Sequence, residues 1–458
     1  MTTPFSTFEE LEDFFSRLAS PGIRPGLERI ATLLKRLGCP ETVFPSIHIV
    51  GTNGKGSTAA FTERILRESG YSTALYTSPH LESPAERLQV NGAHLPLDEW
   101  SRCAREVEEA LKADPRLVQD PPTFFEIVTA VAFLLCQSRK VDVAVVEAGL
   151  GGRLDATNLL GNVVLTLITS ISMDHMEFLG NSLEQIASEK FAVMRKNVPA
   201  VFSGTPSKLL PLFRETALSY GAFPYVSSEV CLADEIQLLP NGLSYSCRTA
   251  LEPAAVFSDK EPRKQNIAVH SALQGVHQVE NSSLAIAGAL LLAPVFPRVT
   301  TETIQKGISL ARWPGRFEII HENPVLILDG GHNPDGVEKL VETLSLLYGE
   351  RRIGVVYGCM KDKAFTECIS LLRRVCSKLY CTSVPDNSRS ASPELLSDTA
   401  KTIGWRPEEI VSCDDPLEAI RIASSSEEVV LCCGSLYLVG YVRKHLALQT
   451  GEREDNDS

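Results

Sequence analysis

No apolar run in this sequence is long enough to cross a bilayer: the longest, Leu284 to Phe296, is broken by Gly288 and Pro294, and a spanning helix needs about 20 residues. Basic residues are in deficit, with 44 Lys and Arg against 57 Asp and Glu and a formal charge of −13. That speaks against nucleic-acid and anionic-membrane partners, which are held by basic surfaces. The N-terminal stretch MTTPFSTFEELEDFF is acidic and lacks the basic region of an export signal. Cysteines occur without a CxxC pair or a His/Cys ligand spacing, several inside apolar runs such as VVLCCGSLYLVG. Reduced thiols and a cytoplasmic location are expected. What is present is ordinary core material, 44% apolar residues over 458 positions, enough for two or three domains.

IHIVGTNGKGST, from Ile47 to Thr58, is an apolar strand running into a glycine-rich turn with one lysine and two hydroxyls. Gly51, Gly54 and Gly56 reach backbone angles barred to other residues, so that successive N–H groups along Thr52 and Asn53 converge on an anion at the start of the following helix. Lys55 then reaches the outer phosphates of ATP, and Ser57 or Thr58 faces magnesium. The spelling differs from GxxxxGK[ST], because residue 49 is Ile and a glycine separates Lys55 from Ser57.

Apolar runs alternate with helix-like segments over the first 200 residues: IHIV (47–50), STALYT (72–77), VDVAVVEAG (141–149) and NVVLTLITSI (162–171). Strands that read as continuous Val, Ile and Leu are buried on both faces, as in a parallel sheet covered by helices. The fold class is therefore α/β: a P-loop-type, mostly parallel N-terminal domain over 1–298 and a smaller Rossmann-like α/β C-terminal domain over 299–446. Ser182 and Gln185 read as a capping box at the head of SLEQIASEK. Residues 225–265, with the turn PNG, read as a short antiparallel insertion, and the acidic tail 447–458 is expected to be disordered.

Ligands of open α/β sheets gather at the carboxyl ends of the strands. Glu147 closes one strand ahead of a turn bearing Gly149, Gly151 and Gly152; the next strand ends in ITSISMDHMEFLG, with Asp174 and His175; TSPHL adds Ser78. With these strands side by side, Glu147, His175 and Ser78 make a magnesium site beside the loop. A structural turn with a solvated Glu, and a purely structural His, are the alternatives.

GLERIATLLKRLG, HIVGTNGKGST, TSPHL, ERLQVNG, PPTFFEIVTAVAF, EAGLGGRLDATN, ITSISMDHMEFLG, SLEQIASEK, GVHQVENSSLAIAGA, RWPGRFE, DGGHNPDG and GSLYLVG follow one another between residues 26 and 443. In that order they resemble the folylpolyglutamate and dihydrofolate synthases of the Mur ligase superfamily. The resemblance implies a two-domain, ATP-dependent carboxylate–amine ligase with nucleotide in the cleft between domains. It further implies that Ser57, Ser78, Glu147, His175 and Lys190 coordinate magnesium, two ions in all, and that Lys55, His175 and a carbamylated Lys190 serve catalysis. Potassium is a further candidate cation. Asn281, Arg316, Asp329 and His332 match nucleotide-holding positions. Thr123, Phe124, Phe125, Glu126, Leu154, Asp155, Ala156 and Arg87 lie in segments set against the pterin.

A carbamate at Lys190 has a physical sense, since CO2 adds to a neutral amine and turns a cation into an anion able to ligate metal. The alternative is an ion-pairing lysine, but its own helical face offers only Ile186, Ala187, Val193 and Met194, and Glu189 points elsewhere, leaving Asp174 as a tertiary partner. Phe191 after Lys190, Ala364 after Lys363, Tyr441, and the missing aromatic in SPHLESPAERL depart from the family pattern. None of them removes a phosphate or metal ligand.

The implied reaction moves the γ-phosphoryl group of ATP to a carboxylate, and the α-amine of L-glutamate then displaces phosphate. The acceptor is dihydropteroate, a reduced folate already bearing glutamate, or both; a monomer with no nucleic-acid or membrane partner is expected. Two other functions share the loop. A muramyl-type ligase normally carries a uridine-nucleotide domain ahead of it, and only 50 residues precede Gly51. A non-catalytic P-loop switch needs the cradle, but not Ser78, Glu147, His175 and Lys190 together.

Overall fold

The computed structural model describes residues 5–251 and 263–450. Its first sheet has eight strands: β1 (Ser46–Val50), β2 (Thr73–Tyr76), β3 (Leu88–Val90), β4 (Ala93–His94), β5 (Val143–Glu147), β6 (Val163–Ile168), β7 (Pro199–Phe202) and β8 (Phe223–Val226). They lie in the order β4-β3-β2-β5-β1-β6-β7-β8. All neighbours from β2 to β8 pair in parallel, and β3 and β4 add an antiparallel edge. β1 and β5 are buried at every position, as their unbroken apolar runs demand. The helix Phe124–Arg139 shares a core with Tyr76, Ala144 and Val146, and Tyr76 completes the contact with a 2.8 Å hydrogen bond to Thr129 Oγ1.

The insertion expected near 225–265 consists of β9 (Cys231–Leu239), β10 (Gly242–Leu251) and β11 (Arg263–Ser271), ordered β11-β10-β9. β9 and β10 are joined by a two-residue turn, which only antiparallel strands permit. A six-stranded sheet follows: β12 (Glu318–Glu322), β13 (Val325–Asp329), β14 (Ile353–Tyr357), β15 (Lys378–Cys381), β16 (Ile410–Ser412) and β17 (Val429–Cys433), ordered β12-β13-β17-β14-β15-β16. It is parallel except for β12, an antiparallel edge strand. Among the described residues no helix is long and apolar enough to cross a membrane.

The chain divides into two compact units, one of Met1–Ile236, Ser244–Ser271 and Gln278–Ala311, the other of Gln237–Leu243, Ala272–His277 and Arg312–Ser458. A boundary at residue 298 would split the first, because the helix Thr301–Leu310 belongs to it. Gly307 lets that helix press on the helix Lys55–Glu68, where a Cβ would stand 2.5 Å from Ile65 Cα. The proline-bearing APVFPRV is thus a bend between two helices of one unit.

Two local expectations change. Ser182 accepts from Gln185 N, but the reciprocal half of a capping box is missing, because Gln185 Oε1 accepts from Asn181 N at 2.7 Å. The last helix runs from Leu436 to Thr450, so the tail placed at 447–458 begins inside it; residues 451–458 lie outside the described residues.

Candidate active site

Strand register brings the candidates to one edge. Ile49 pairs with Glu147, Val50 with Ile168, and Tyr76 with Val146. β2, β5, β1 and β6 therefore end level, and the segments that follow them, from Thr77, Ala148, Gly51 and Thr169, leave the sheet together. From β1 the chain crosses to β2 on one side, while β6 to β8 lie on the other. Such reversals of strand order are where open α/β sheets bind ligands.

Gly51 (φ 148°) and Gly54 (φ 88°) take left-handed backbone angles. A Cβ at Gly51 would collide with Thr169 Oγ1, and one at Gly54 with Asn281 Oδ1. Gly54 heads the helix Lys55–Glu68, whose first turn, with Gly56 in it, has neither an acidic residue nor a side-chain cap. Its leading N–H groups are therefore left for an outside acceptor, and the helix dipole favours an anion there. The loop itself is pinned. Thr52 N donates to Ser170 O at 2.8 Å, Asn53 Nδ2 to Ser172 Oγ at 3.3 Å, and Lys55 Nζ folds back to Thr52 O at 3.1 Å.

Of the two hydroxyls, Thr58 is buried with its Oγ1 unpartnered, whereas Ser57 Oγ accepts from Gln278 Nε2 at 3.3 Å. Gln278 Oε1 in turn accepts from Asn281 Nδ2 at 3.0 Å. Gln278 was not among the sequence candidates; its signal is the spacing of three to Asn281, which puts both on one helical face.

Glu147 is buried at the end of β5, and its Oε2 accepts from Ser78 N at 3.3 Å. Lys190 is buried as well, with Nζ donating to Gly51 O at 2.7 Å. Burial first and the Lys55 charge second push its amine down to about 7, against the smaller upward pull of Asp174 and Asp155. Glu189 is engaged by Arg153 at 2.9 Å. His175 sits in a left-handed turn (φ 50°) with Nε2 3.8 Å from Asp174 Oδ2, its side chain 39% exposed.

Among the described residues, no three His, Cys, Asp or Glu side chains stand close enough to hold an ion by themselves. Magnesium keeps several waters and is bound through one or two carboxylates plus substrate phosphates. Ser57, Ser78 and Glu147 supply the hard oxygen donors it prefers, whereas the His175 nitrogen suits it less.

Of the residues that the resemblance sets against a pterin, Thr123 and Glu126 are a reciprocal capping box for the helix Phe124–Arg139: Thr123 N donates to Glu126 Oε2 at 2.6 Å and Glu126 N to Thr123 Oγ1 at 3.3 Å. Arg29 also binds Glu126 Oε2, at 3.2 Å. Their side chains therefore hold the helix head, while the half-buried rings between them are presented. The Arg87 guanidinium lies 5.4 Å from the centre of the Phe124 ring, and Arg87 Nε donates to His80 Nδ1 at 3.0 Å. Phe125 lies against Gly149, where a Cβ would stand 2.7 Å from its ring. Leu154 is half-buried, Ala156 is buried, and the buried Asp155 carboxylate accepts from Leu150 N at 2.7 Å and Thr157 N at 3.0 Å.

Within the second unit, Asp329 is occupied by backbone: Oδ2 accepts from Phe317 N at 2.8 Å and Oδ1 from Gly331 N at 2.7 Å. It joins the Arg316 turn to the end of β13. Gly330 lacks the Cβ that would strike Arg316 and Leu436. His332 Nδ1 is 3.0 Å from Gly330 O and donates to it.

Residues 49–289 match the Mur ligase middle domain and residues 315–436 the Mur ligase glutamate ligase domain. A Bacillus subtilis dihydrofolate synthase/folylpolyglutamate synthase is 34% identical over 96% of this chain and 100% of its own. The Escherichia coli protein of the same name is 30% identical over 94% of this chain and 93% of its own. Mycobacterium tuberculosis folylpolyglutamate synthase complexed with ADP superposes with a TM-score of 0.85 at 27% identity, over 96% of this chain and 98% of that one. E. coli FolC in complex with DHPP and ADP does so with a TM-score of 0.81 at 27% identity, over 98% and 100%.

Proposed function

The chain belongs to the Mur ligase family, among its folylpolyglutamate and dihydrofolate synthases, and from that premise we propose how its residues carry out ligation. It is an ATP-dependent carbon–nitrogen ligase that joins L-glutamate to a folate-type carboxylate. We infer acceptors of both kinds, dihydropteroate and reduced folates ending in glutamate, since the B. subtilis and E. coli relatives carry both names.

The triphosphate rests on the N–H groups heading Lys55–Glu68, with Lys55 turning from Thr52 O toward the outer phosphates. An acceptor carboxylate oxygen attacks the γ-phosphorus, the bond to the β,γ-bridging oxygen breaks, and ADP is released from the new acyl phosphate. The unprotonated α-amine of glutamate adds to the acyl carbon. The adduct expels phosphate and loses one amine proton, leaving an amide. Alignment of bound reactants is worth about 7–11 kcal/mol in favourable intramolecular cases, and exclusion of water protects the acyl phosphate.

Magnesium supplies neutralisation of the approaching anions; Ser57, Ser78 and Glu147 would hold it, with His175 and a Lys190 carbamate as further ligands and the carbamate serving a second ion. Potassium remains a candidate beside them. An amine held near 7 is neutral often enough to add CO2, forming one N–C bond and losing one proton. Thiols that are free throughout suit a cytoplasmic setting, and a monomer is the proposed working form.

The observation that carries this reading is the register that ends β2, β5, β1 and β6 together. ADP release is the test, measured with dihydropteroate and L-glutamate and with each omitted in turn. Dependence on both is expected. Release that ignores the pterin points to a muramyl-type ligase, and release independent of both to a nucleotide switch.

A further inference from the structure

A buried polar chain runs from the middle of β1 to the turn that follows β5, apart from the residues assigned to ATP or metal. His48 is fully buried, and its Nε2 lies 2.8 Å from Thr157 Oγ1. That hydroxyl spends its one proton on Asp155 Oδ1 at 2.5 Å. The bond from His48 must therefore run from Nε2–H to the hydroxyl oxygen. The tautomer follows: Nδ1 carries a lone pair, and it is buried without a partner. An orphaned buried nitrogen is a cost that Val or Ile would avoid at this strand position.

Beyond Thr157 the chain closes a turn. Asp155 takes the N–H groups of Leu150 and Thr157, so residues 150 to 157 are gathered around one carboxylate. The turn faces two ways. Leu154 to Ala156 form the segment that the ligase reading sets against the pterin, and Arg153 N donates to Glu189 O at 2.8 Å, next to Lys190. Gly152 permits that approach, since a Cβ there would stand 2.8 Å from Glu189 O.

We propose that His48 is a positioning residue for the folate acceptor: through Thr157 it holds the Asp155 carboxylate and the 150–157 turn in register with β1. The inference rests on the ligase reading above. His48 touches neither acceptor nor nucleotide, and its link leads sideways to the turn, so its loss should change acceptor affinity and spare that for ATP.

The test compares full-length His48→Leu, His48→Gln, Thr157→Val and Thr157→Ser by KM for dihydropteroate and for ATP. His48→Leu and Thr157→Val should each raise the dihydropteroate KM about tenfold and leave the ATP KM within about twofold. His48→Gln and Thr157→Ser, which keep a donor and a hydroxyl, should stay within about threefold of wild type for both. If His48→Leu does not fold, the Thr157 pair decides. An unchanged dihydropteroate KM in Thr157→Val, or an equal rise in both KM values, overturns the proposal. Wild-type protein that shows no pterin-dependent ADP release refutes the ligase reading instead.

Discussion

Lys190 Nζ donates a 2.7 Å hydrogen bond to the carbonyl oxygen of Gly51, the residue through which β1 becomes the phosphate loop. The helix Leu183–Phe191 is thereby tied to the loop, and its lysine is neither solvated nor paired with its neighbour Glu189, which Arg153 holds. A buried amine pushed down to about 7 is set apart from ordinary lysines.

Lys190→Met fills the same space without an amine. Turnover is expected to fall on the order of 100-fold or more, the scale of losing one group that stabilises charge at the reacting centre, with the circular dichroism spectrum retained. Steady-state ADP release checks it, and wild-type turnover would remove the lysine from the chemistry.

Lys55→Ala leaves the N–H groups at the helix head in place. ADP binding by calorimetry should weaken by no more than about tenfold, while kcat drops on the order of 100-fold. The opposite split, with lost binding and intact kcat, would assign Lys55 to ground-state binding alone.

Gln278→Leu takes the donor from Ser57 Oγ and the acceptor from Asn281 Nδ2. The KM for magnesium–ATP should rise about tenfold with that for dihydropteroate little changed. A magnesium titration of both proteins should show the variant needing more metal for half-maximal rate.

Gly307→Val forces two helices apart, because even a Cβ would stand 2.5 Å from Ile65 Cα. A stability loss of about 1–3 kcal/mol or more is expected in urea unfolding. Unaltered stability would mean that the helix Thr301–Leu310 shifts without cost.

His48 carries the pH prediction. Burial foremost, with the Arg195 charge second, lowers it from 6.5 to about 3, while Asp155 is linked to it through Thr157. Between those values the unfolded chain binds a proton that the folded chain refuses, so this group subtracts stability as pH falls below about 6.5 and has no effect above it. His48→Gln titrates in neither state. From about pH 7 to about pH 4.5 it should therefore lose roughly 2 kcal/mol less stability than wild type. Equal losses in urea unfolding would place the proton on His48 in the folded protein too.

Much of the site was legible where neighbours in sequence decide the matter. The run IHIV is β1, and Gly51 and Gly54 adopt angles other residues resist, whereas Gly56, expected to do the same, is an ordinary residue of the helix Lys55–Glu68. Thr123 and Glu126, set against the pterin by resemblance, use their side chains to cap a helix, a role their spacing of three also announces. Little local in the sequence marks Gln278 or His48, because what each reaches lies far along the chain: Ser57 is 221 residues from Gln278, and Thr157 is 109 from His48.

Strand positions, the phosphate turn and the order of motifs followed from the amino acids alone, since periodicity and backbone sterics act over a few residues. Which strand ends stand level, that the Lys190 amine is buried against Gly51 O, and that hydrogen bonds link His48 of β1 through Thr157 to Asp155 are decided only by the tertiary structure. Burial and charge depend on partners distant in sequence, 139 residues apart for Lys190 and Gly51, and no local pattern records them.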